Sequence, residues 1–295
     1  MSHDHAHEHA IPTDLGPAFR WAVGLNTAYV IVEAVAGVIT GSLALLADAA
    51  HNLTDVAGLL IAWGAAVLAK RASTQRHSWG LGRATIMAAM LNALAILIGV
   101  VWVIWEAAQR FQTPQEVPGL TILLVALVGI GINTGSALLF KRAQKDDLNA
   151  KGAFLHMAAD AAVSGAVVLA AIGIMLTGWT WLDAGVAIAV SLLIAFTSTG
   201  LFREALHLSL DGVPDRINAE EVASWLRAQD GVVGLHDLHI WPLSTTRTAL
   251  AVHVASHAAD YRPVLATLSA GLRDRFDISH STIQMEGDNC GQHCL

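Results

Sequence analysis

The sequence predicts a membrane α-helical bundle of six transmembrane helices followed by a C-terminal cytosolic α+β domain, and three observations carry that prediction. Hydrophobic residues make up 54% of the 295-residue chain and charged residues only 14%, with a mean hydropathy of +0.52, well above that of a soluble globular protein. Six apolar windows of about 20 residues, each long enough to cross a hydrocarbon core, follow one another up to position 202. The rest of the chain returns to ordinary polarity and reads as a separate domain.

The crossings fall at about 20–40, 43–69, 84–109, 119–140, 153–177 and 180–202. An even number puts both termini on one side. The link after the second crossing carries Lys70, Arg71, Arg76 and Arg83, and the link after the fourth carries Lys141, Arg142, Lys145 and Lys151, whereas the opposite links hold little more than Arg110. By the positive-inside rule the basic links, both termini and the C-terminal domain are cytoplasmic. Thr40-Gly41-Ser42, Pro114 to Gly119, and Thr177-Gly178 read as short outer turns, and Trp102, Trp105, Trp179 and Trp181 stand where interfacial aromatics belong. The expected domains are therefore a His-rich tail at 1–18, the bundle at 19–202 and a cytosolic domain at 203–295.

Past Arg203, Asn218 followed by Glu221 marks a helix cap before an amphipathic stretch to about 229. Val232 to Ile240 and Ala249 to Ala255 read as strands, Pro263 to Phe276 as a helix and Ser281 to Glu286 as a third strand. That α-β-β-α-β order suits a small sheet with helices on one face.

Two words inside the apolar runs carry the chemistry: HNLTD at 51–55 and HMAAD at 156–160. An ionisable side chain in a bilayer costs several kcal/mol unless it faces a partner or a water-filled path. Residues four apart share a helix face, so His51 pairs with Asp55 and His156 with Asp160. Two imidazole nitrogens and two carboxylate oxygens suit a borderline divalent cation, zinc above all, where calcium or magnesium would want oxygens alone. The competing explanation is a polar bridge between helices that binds no ion; two identical pairs on separate crossings favour the metal site. Asp48 shares the face of His51 and Asp55, as a group that orients the ligands or receives the incoming ion.

An empty site with both aspartates ionised carries about two negative charges, which one divalent cation or protons can cancel. Because histidine must be neutral to ligate and titrates near neutral pH, metal and protons compete. Metal outward and protons inward through one alternately exposed site is the resulting expectation. A channel and a membrane metal sensor are the alternatives. An enzyme is not expected: no HExxH word occurs, and four protein ligands leave no open position for water.

Other polar residues lie in or near crossings: Asn26, Glu33, Asn92, Glu106, Asn133 and Asp183. Asn side chains commonly bridge helices, and Asp183 and Glu106 are expected near an outer end within reach of water. Glu33 lies deep in the first crossing with no adjacent basic partner. Small residues crowd the fifth crossing from Gly152 to Gly165, allowing close approach of another helix.

These features together, with SLALLADAAHNLTD (42–55), HDLHIWPL (236–243) and STIQME (281–286), resemble the cation diffusion facilitator family over essentially the whole chain, and most of all its zinc-transporting branch. The resemblance implies a homodimer, zinc/proton antiport, a transport site of His51, Asp55, His156 and Asp160, and a cytosolic domain of metallochaperone-like fold. Histidine at both first positions implies zinc, with cobalt or cadmium secondary. His236 and His253 match positions that bind zinc in relatives, and Glu286 matches a carboxylate; Gln284 stands where one bacterial branch has His. CGQHC (290–294) resembles the Cys-containing tail of animal zinc transporters. The cytosolic candidates are thus His236, His253, His280, Glu286, Cys290 and Cys294, with His239, His257 and His293 beside them; the alternative for the tail is a frayed end with incidental thiols. QRHSWGLGR (75–83) resembles a segment with a second zinc site in some members, of which His77 matches one ligand while Thr74 and Leu81 depart from the pattern.

The net charge of -7 argues against a nucleic-acid partner; the expected partners are divalent metal ions, protons, the lipid bilayer and a second copy of the chain. The two cysteines form no disulfide framework, and no cleaved signal peptide is read at the N-terminus. HDHAHEH (3–9) is either a weak zinc tract that hands on metal or a disordered segment. The inner link KRAQKDDLNAK (141–151) lacks a histidine-rich run, which leans towards a bacterial inner membrane.

Overall fold

The computed structural model describes residues 17–69, 71–113, 115–140 and 148–287, without the side chains of 17–23, 54–63, 66, 139–140 and 148–156. Six long helices come first: α1 (Pro17–Thr40), α2 (Leu43–Ala69), α3 (Ala84–Arg110), α4 (Gly119–Phe140), α5 (Leu148–Thr177) and α6 (Trp181–Ser209). Among the described residues four stretches are long and apolar enough to cross a membrane: Ala84–Arg110, Gly119–Leu138, Met157–Thr177 and Trp181–Ser209; Gly24–Thr40 is a shorter apolar helix.

Their ends follow local chemistry. Pro17 opens α1, where its missing N–H costs nothing. Thr40 Oγ1 donates back to the Ala36 carbonyl at 2.7 Å, and Gly41, at φ 69, turns the chain into α2. Gly178, at φ 71, does the same between α5 and α6. α6 runs on to Ser209, so the boundary expected at 202/203 falls inside a helix. Loss of hydrophobicity at Arg203 and Glu204 marks where the apolar run stops, and both residues remain good helix formers.

The chain forms two compact units, one of residues up to Leu60 with Asn92–Gly200, the other of Ile61–Leu91 with Leu201 onward. In the first, α4 packs along α5 and against α1. One core cluster joins Leu43 and Ala47 of α2, Val100 and Val103 of α3, Val163 of α5 and Ala187, Val190 and Ile194 of α6. A second joins Ala44 and Leu45 of α2, Ile122 and Ala126 of α4, and Val167, Ala171 and Ile174 of α5. Outside these, Ile39, Val38, Leu169, Leu176 and Phe196 are exposed. Large apolar side chains turned outward at this density suit a lipid solvent and would be a liability in water.

In the second unit, α7 (Ala219–Arg227), β1 (Val232–Pro242), β2 (Thr248–Ser256), α8 (Arg262–Phe276) and β3 (His280–Glu286) follow the α-β-β-α-β order. Asn218 caps α7 by accepting from the Glu220 and Glu221 N–H groups. The sheet order is β1-β2-β3, antiparallel then parallel. Leu250, Val252 and Val254 bury one face against Val222 and Leu226 of α7 and Leu268 and Leu272 of α8, about 1.5–3 kcal/mol for each large side chain. The alternation turns His253 to the other face. The segment between α2 and α3 belongs to this unit: Trp79 meets Trp241 and His280 edge-on at ring-centroid distances of 6.4 and 4.8 Å, Arg83 pairs with Asp211, and the Thr245 N–H donates to Thr85 Oγ1 at 3.0 Å.

Candidate metal centres

α2 and α5 bring the two words together. His51 Nε2 lies 3.2 Å from Asp160 Oδ1, with the Asp160 side chain 2% exposed and His51 19%. Asp55 and His156 sit four residues along the same helices, on α2 and α5, and their side chains lie outside the described residues. One histidine and one aspartate from different words are therefore in contact, as a shared site requires. Lining this contact is a buried polar chain that crosses three helices. Ser164 Oγ of α5 donates to Asp48 Oδ2 at 2.9 Å. Asn52 Nδ2 donates to Asp48 Oδ1 at 3.4 Å and to Glu33 Oε2 of α1 at 3.3 Å, and Tyr29 Oη donates to Glu33 Oε1 at 2.6 Å. Glu33, Asp48 and Ser164 are all 0% exposed.

Sequence reasoning passed over Tyr29, Asn52 and Ser164. The signal was present for all three: Tyr29 stands four residues before Glu33, Asn52 four after Asp48 and Ser164 four after Asp160, so each shares a helix face with a carboxylate. The approach of Tyr29 depends on a glycine of α4, because a Cβ at Gly129 would lie 2.1 Å from the phenol oxygen.

Asp183 departs from expectation. It is 2% exposed rather than open to water. Its carboxylate accepts from Ser42 Oγ, from the Leu43 N–H at 2.7 Å and from the Ala44 N–H at 3.3 Å, and Arg110 Nη1 lies 3.8 Å away. These N–H groups open α2 and have no intrahelical acceptor, so a carboxylate from α6 completes the cap that Ser42 begins by accepting from the Leu45 N–H at 3.2 Å. Glu106 pairs with Arg110 at 3.7 Å. Asn26 Nδ2 reaches the Met157 thioether at 3.7 Å, and Asn133 is 1% exposed.

The second centre is on the sheet. His236, His253 and Glu286 present ligand atoms all within 4.8 Å of one another, the only such group of three among the described residues. Register puts His236 of β1 opposite His253 of β2, with ring centroids 4.9 Å apart. Both imidazoles face one carboxylate, His253 Nδ1 at 2.8 Å from Glu286 Oε1 and His236 Nε2 at 3.2 Å from Oε2. A bulge between His236 and His239, with Asp237 at φ 51, turns the strand here, and Asp237 Oδ2 stands 3.7 Å from His236 Nδ1. Two imidazoles and a carboxylate oxygen suit a borderline divalent ion such as zinc. Gln284 donates from Nε2 to Glu286 Oε1 at 2.7 Å and so steadies the carboxylate.

The other cytosolic candidates are elsewhere. His280 opens β3, six residues from Glu286, and stands against Trp79. His239 is exposed and, with Arg83, Asp211 and Trp241, lines a separate cavity of about 480 Å³. His257 is exposed just past β2, and His77 is exposed in the loop before α3, its N–H bonded to Thr74. The tail candidates Cys290, His293 and Cys294, like the histidines at 3–9, lie outside the described residues.

Apolar helices of bilayer length, joined to a small α+β domain, define an integral membrane protein with buried ionisable groups. Comparison with known proteins supplies its family. Residues 20–208 match the cation efflux transmembrane domain and residues 214–288 the cation efflux protein cytoplasmic domain; the chain belongs to the cation efflux, or cation diffusion facilitator, family. It is 37% identical over 294 residues to the metal cation efflux system protein CzcD of Cupriavidus metallidurans, covering 99% of this chain and 92% of that protein. It is 34% identical over 300 residues to the zinc transporter ZitB of Escherichia coli, with 100% and 96% covered. It is 32% identical over 266 residues to a cadmium, cobalt and zinc/H(+)-K(+) antiporter of Bacillus velezensis, with 88% and 85% covered. Among solved structures, the metal-bound C-terminal domain of the Cupriavidus metallidurans CzcD transporter is 42% identical and covers 24% of this chain and 99% of that one, with a TM-score of 0.23.

Proposed function

We propose that this chain is a secondary active transporter that exports zinc from the cytoplasm in exchange for protons, with cobalt or cadmium as secondary cargo. One tetrahedral site of His51, Asp55, His156 and Asp160 is exposed alternately to the two sides of the membrane. The observation that carries the reading is the 3.2 Å contact between His51 Nε2 and Asp160 Oδ1, one member from each word. Metal binding needs the imidazoles neutral and the carboxylates ionised, so an arriving zinc expels protons and arriving protons expel zinc. The names of the relatives support this chemistry: zinc is common to the last two, and one pairs cadmium, cobalt and zinc with H(+)-K(+) antiport.

In the same reading α1 to α6 all cross the membrane, the basic links face the cytoplasm of a bacterium, and both termini lie inside. The tail at 1–18 and the domain at 203–295 flank the bundle at 19–202. The cytosolic domain takes a metallochaperone-like fold, pairs two copies into a homodimer and binds zinc at His236, His253 and Glu286 as a regulatory ligand; Cys290 and Cys294 of the tail are further metal contacts, and His280 and His77, away from that cluster, could bind metal only separately from it. Zinc uptake into proteoliposomes under an imposed pH gradient tests the transport site. Asp160→Ala lowers the uptake rate about tenfold or more, the cost of removing a charged ligand from a closed shell. Undiminished uptake in that variant overturns the site, and wild-type uptake indifferent to the gradient overturns the exchange.

A further inference from the structure

Glu33 is a buried titratable group for which the four-ligand site has no use. It lies in the middle of α1 at 0% exposure, and a carboxylate in that setting must be paired, hydrogen-bonded or protonated. Its neighbours are Tyr29 Oη and Asn52 Nδ2, and no Lys, Arg or His among the described residues pairs with it. The groups that face it are few. On its own helix there is Tyr29; on α2 there is Asp48, held through the shared Asn52 amide, with His51 beyond it. α4 approaches Tyr29 at the Val125 carbonyl and has no ionisable residue between Gly119 and Phe140. α5 contributes Ser164, bonded to Asp48, and Asp160, which acts on Asp48.

Two carboxyl groups thus share the one amide nitrogen of Asn52, side by side and with no cation between them. Like charges so placed repel strongly in a dry interior, and the arrangement relaxes when one carboxyl is neutral. Asn52 also follows His51 directly, so the pair adjoins the transport site without entering it.

Resting on the antiport reading above, we propose that Glu33 carries a proton in the exchange cycle: its carboxyl is protonated when the metal site is empty and gives up that proton to water when a divalent cation arrives. Asp48, which accepts from Ser164 and Asn52, is the link between Glu33 and the metal site. The balance is simple, one O–H bond broken at Glu33 and one proton released to the open side, with the reverse on the opposite face. Glu33 is a proton-binding residue and touches no metal ligand among the described residues.

The test uses the full-length protein in proteoliposomes, with zinc alone as cargo and a pH indicator in the lumen. The wild type accumulates zinc against its gradient when a pH gradient is imposed. Glu33→Gln moves fewer protons per zinc, and its accumulation under the same pH gradient drops below that of the wild type. Exchange of labelled zinc at equal concentration and pH persists, because it needs only the metal ligands. A wild type that ignores the pH gradient overturns the antiport reading itself. A coupled wild type with an equally coupled Glu33→Gln overturns the role of Glu33 and leaves antiport standing. Should Glu33→Gln fail to reconstitute, Tyr29→Phe decides, since it keeps the carboxyl and removes the phenol that donates to it. A displaced pH profile of uptake supports the proposal, and a profile superimposable on the wild type overturns it.

Discussion

Glu286 bridges two imidazoles with its two oxygens, and that division of labour makes it the most consequential single side chain of the cytosolic domain. Glu286→Ala leaves His236 and His253 with no anionic partner on β3, and zinc affinity at that site falls at least about tenfold, in the range that loss of a supporting carboxylate reaches. Competition between the full-length protein and a chromogenic chelator measures it; an unchanged affinity would remove the cluster from the list of binding sites. How far such residues could be read beforehand depended on spacing. His51 and Asp160 belong to words that repeat inside apolar runs, and a lone sequence exposes that. His253 followed from alternation along a strand. His280 was grouped with the ligands by residue type, yet it stands at the far end of β3 against Trp79, a separation only strand register reveals. Gln284 looked like a ligand lost, and its amide instead holds Glu286.

At the scale of elements, periodicity and turn residues located every helix and strand described, because the code for an apolar run or a capped amphipathic helix is local. The end of α6 was not local in that sense: hydrophobicity stops near 202 and the helix at Ser209. Nor was the cap of α2. Ser42 alone reads as an ordinary N-terminal residue, whereas the acceptor that satisfies the Leu43 and Ala44 N–H groups comes from Asp183, about 140 positions away in sequence. Asp183→Ala therefore leaves buried donors unsatisfied and Arg110 short of an anion, a cost of about 1–3 kcal/mol or more. The expected readout is a lower apparent Tm in detergent at a fixed scan rate, with Asp183→Asn intermediate. An unshifted Tm in Asp183→Ala would mean that water replaces the carboxylate without loss.

At the scale of the whole molecule, the loop between α2 and α3 belongs with the cytosolic fold. Its glycine is the reason it can: a Cβ at Gly82 would lie 2.4 Å from the Leu243 carbonyl oxygen. Gly82→Leu should lift this segment from the end of β1, so that trypsin cleaves the intact chain after Arg76 and Arg83 several-fold faster. Zinc binding at His236, His253 and Glu286 should survive, since those residues lie farther along the strands. Cleavage at the wild-type rate would show that the contact tolerates a side chain. Hydropathy divides the chain into bundle and tail. Packing also gives the end of α6 to the second unit but divides the chain differently before it, assigning Ile61–Leu91 to that unit, because long-range contacts rather than polarity decide which residues belong together.

The Asp183 cap has a further consequence for motion. Ser42, Leu43 and Ala44 are held by one carboxylate, so α2 cannot slide along its axis without breaking those bonds, and what remains open to it is a swing about that end. His51 stands eight residues from Leu43, a lever arm of about 12 Å at 1.5 Å per residue. A tilt of about 10° about the anchored end displaces the imidazole by about 2 Å, enough to undo or remake a 3.2 Å contact with Asp160 while the pivot stays fixed.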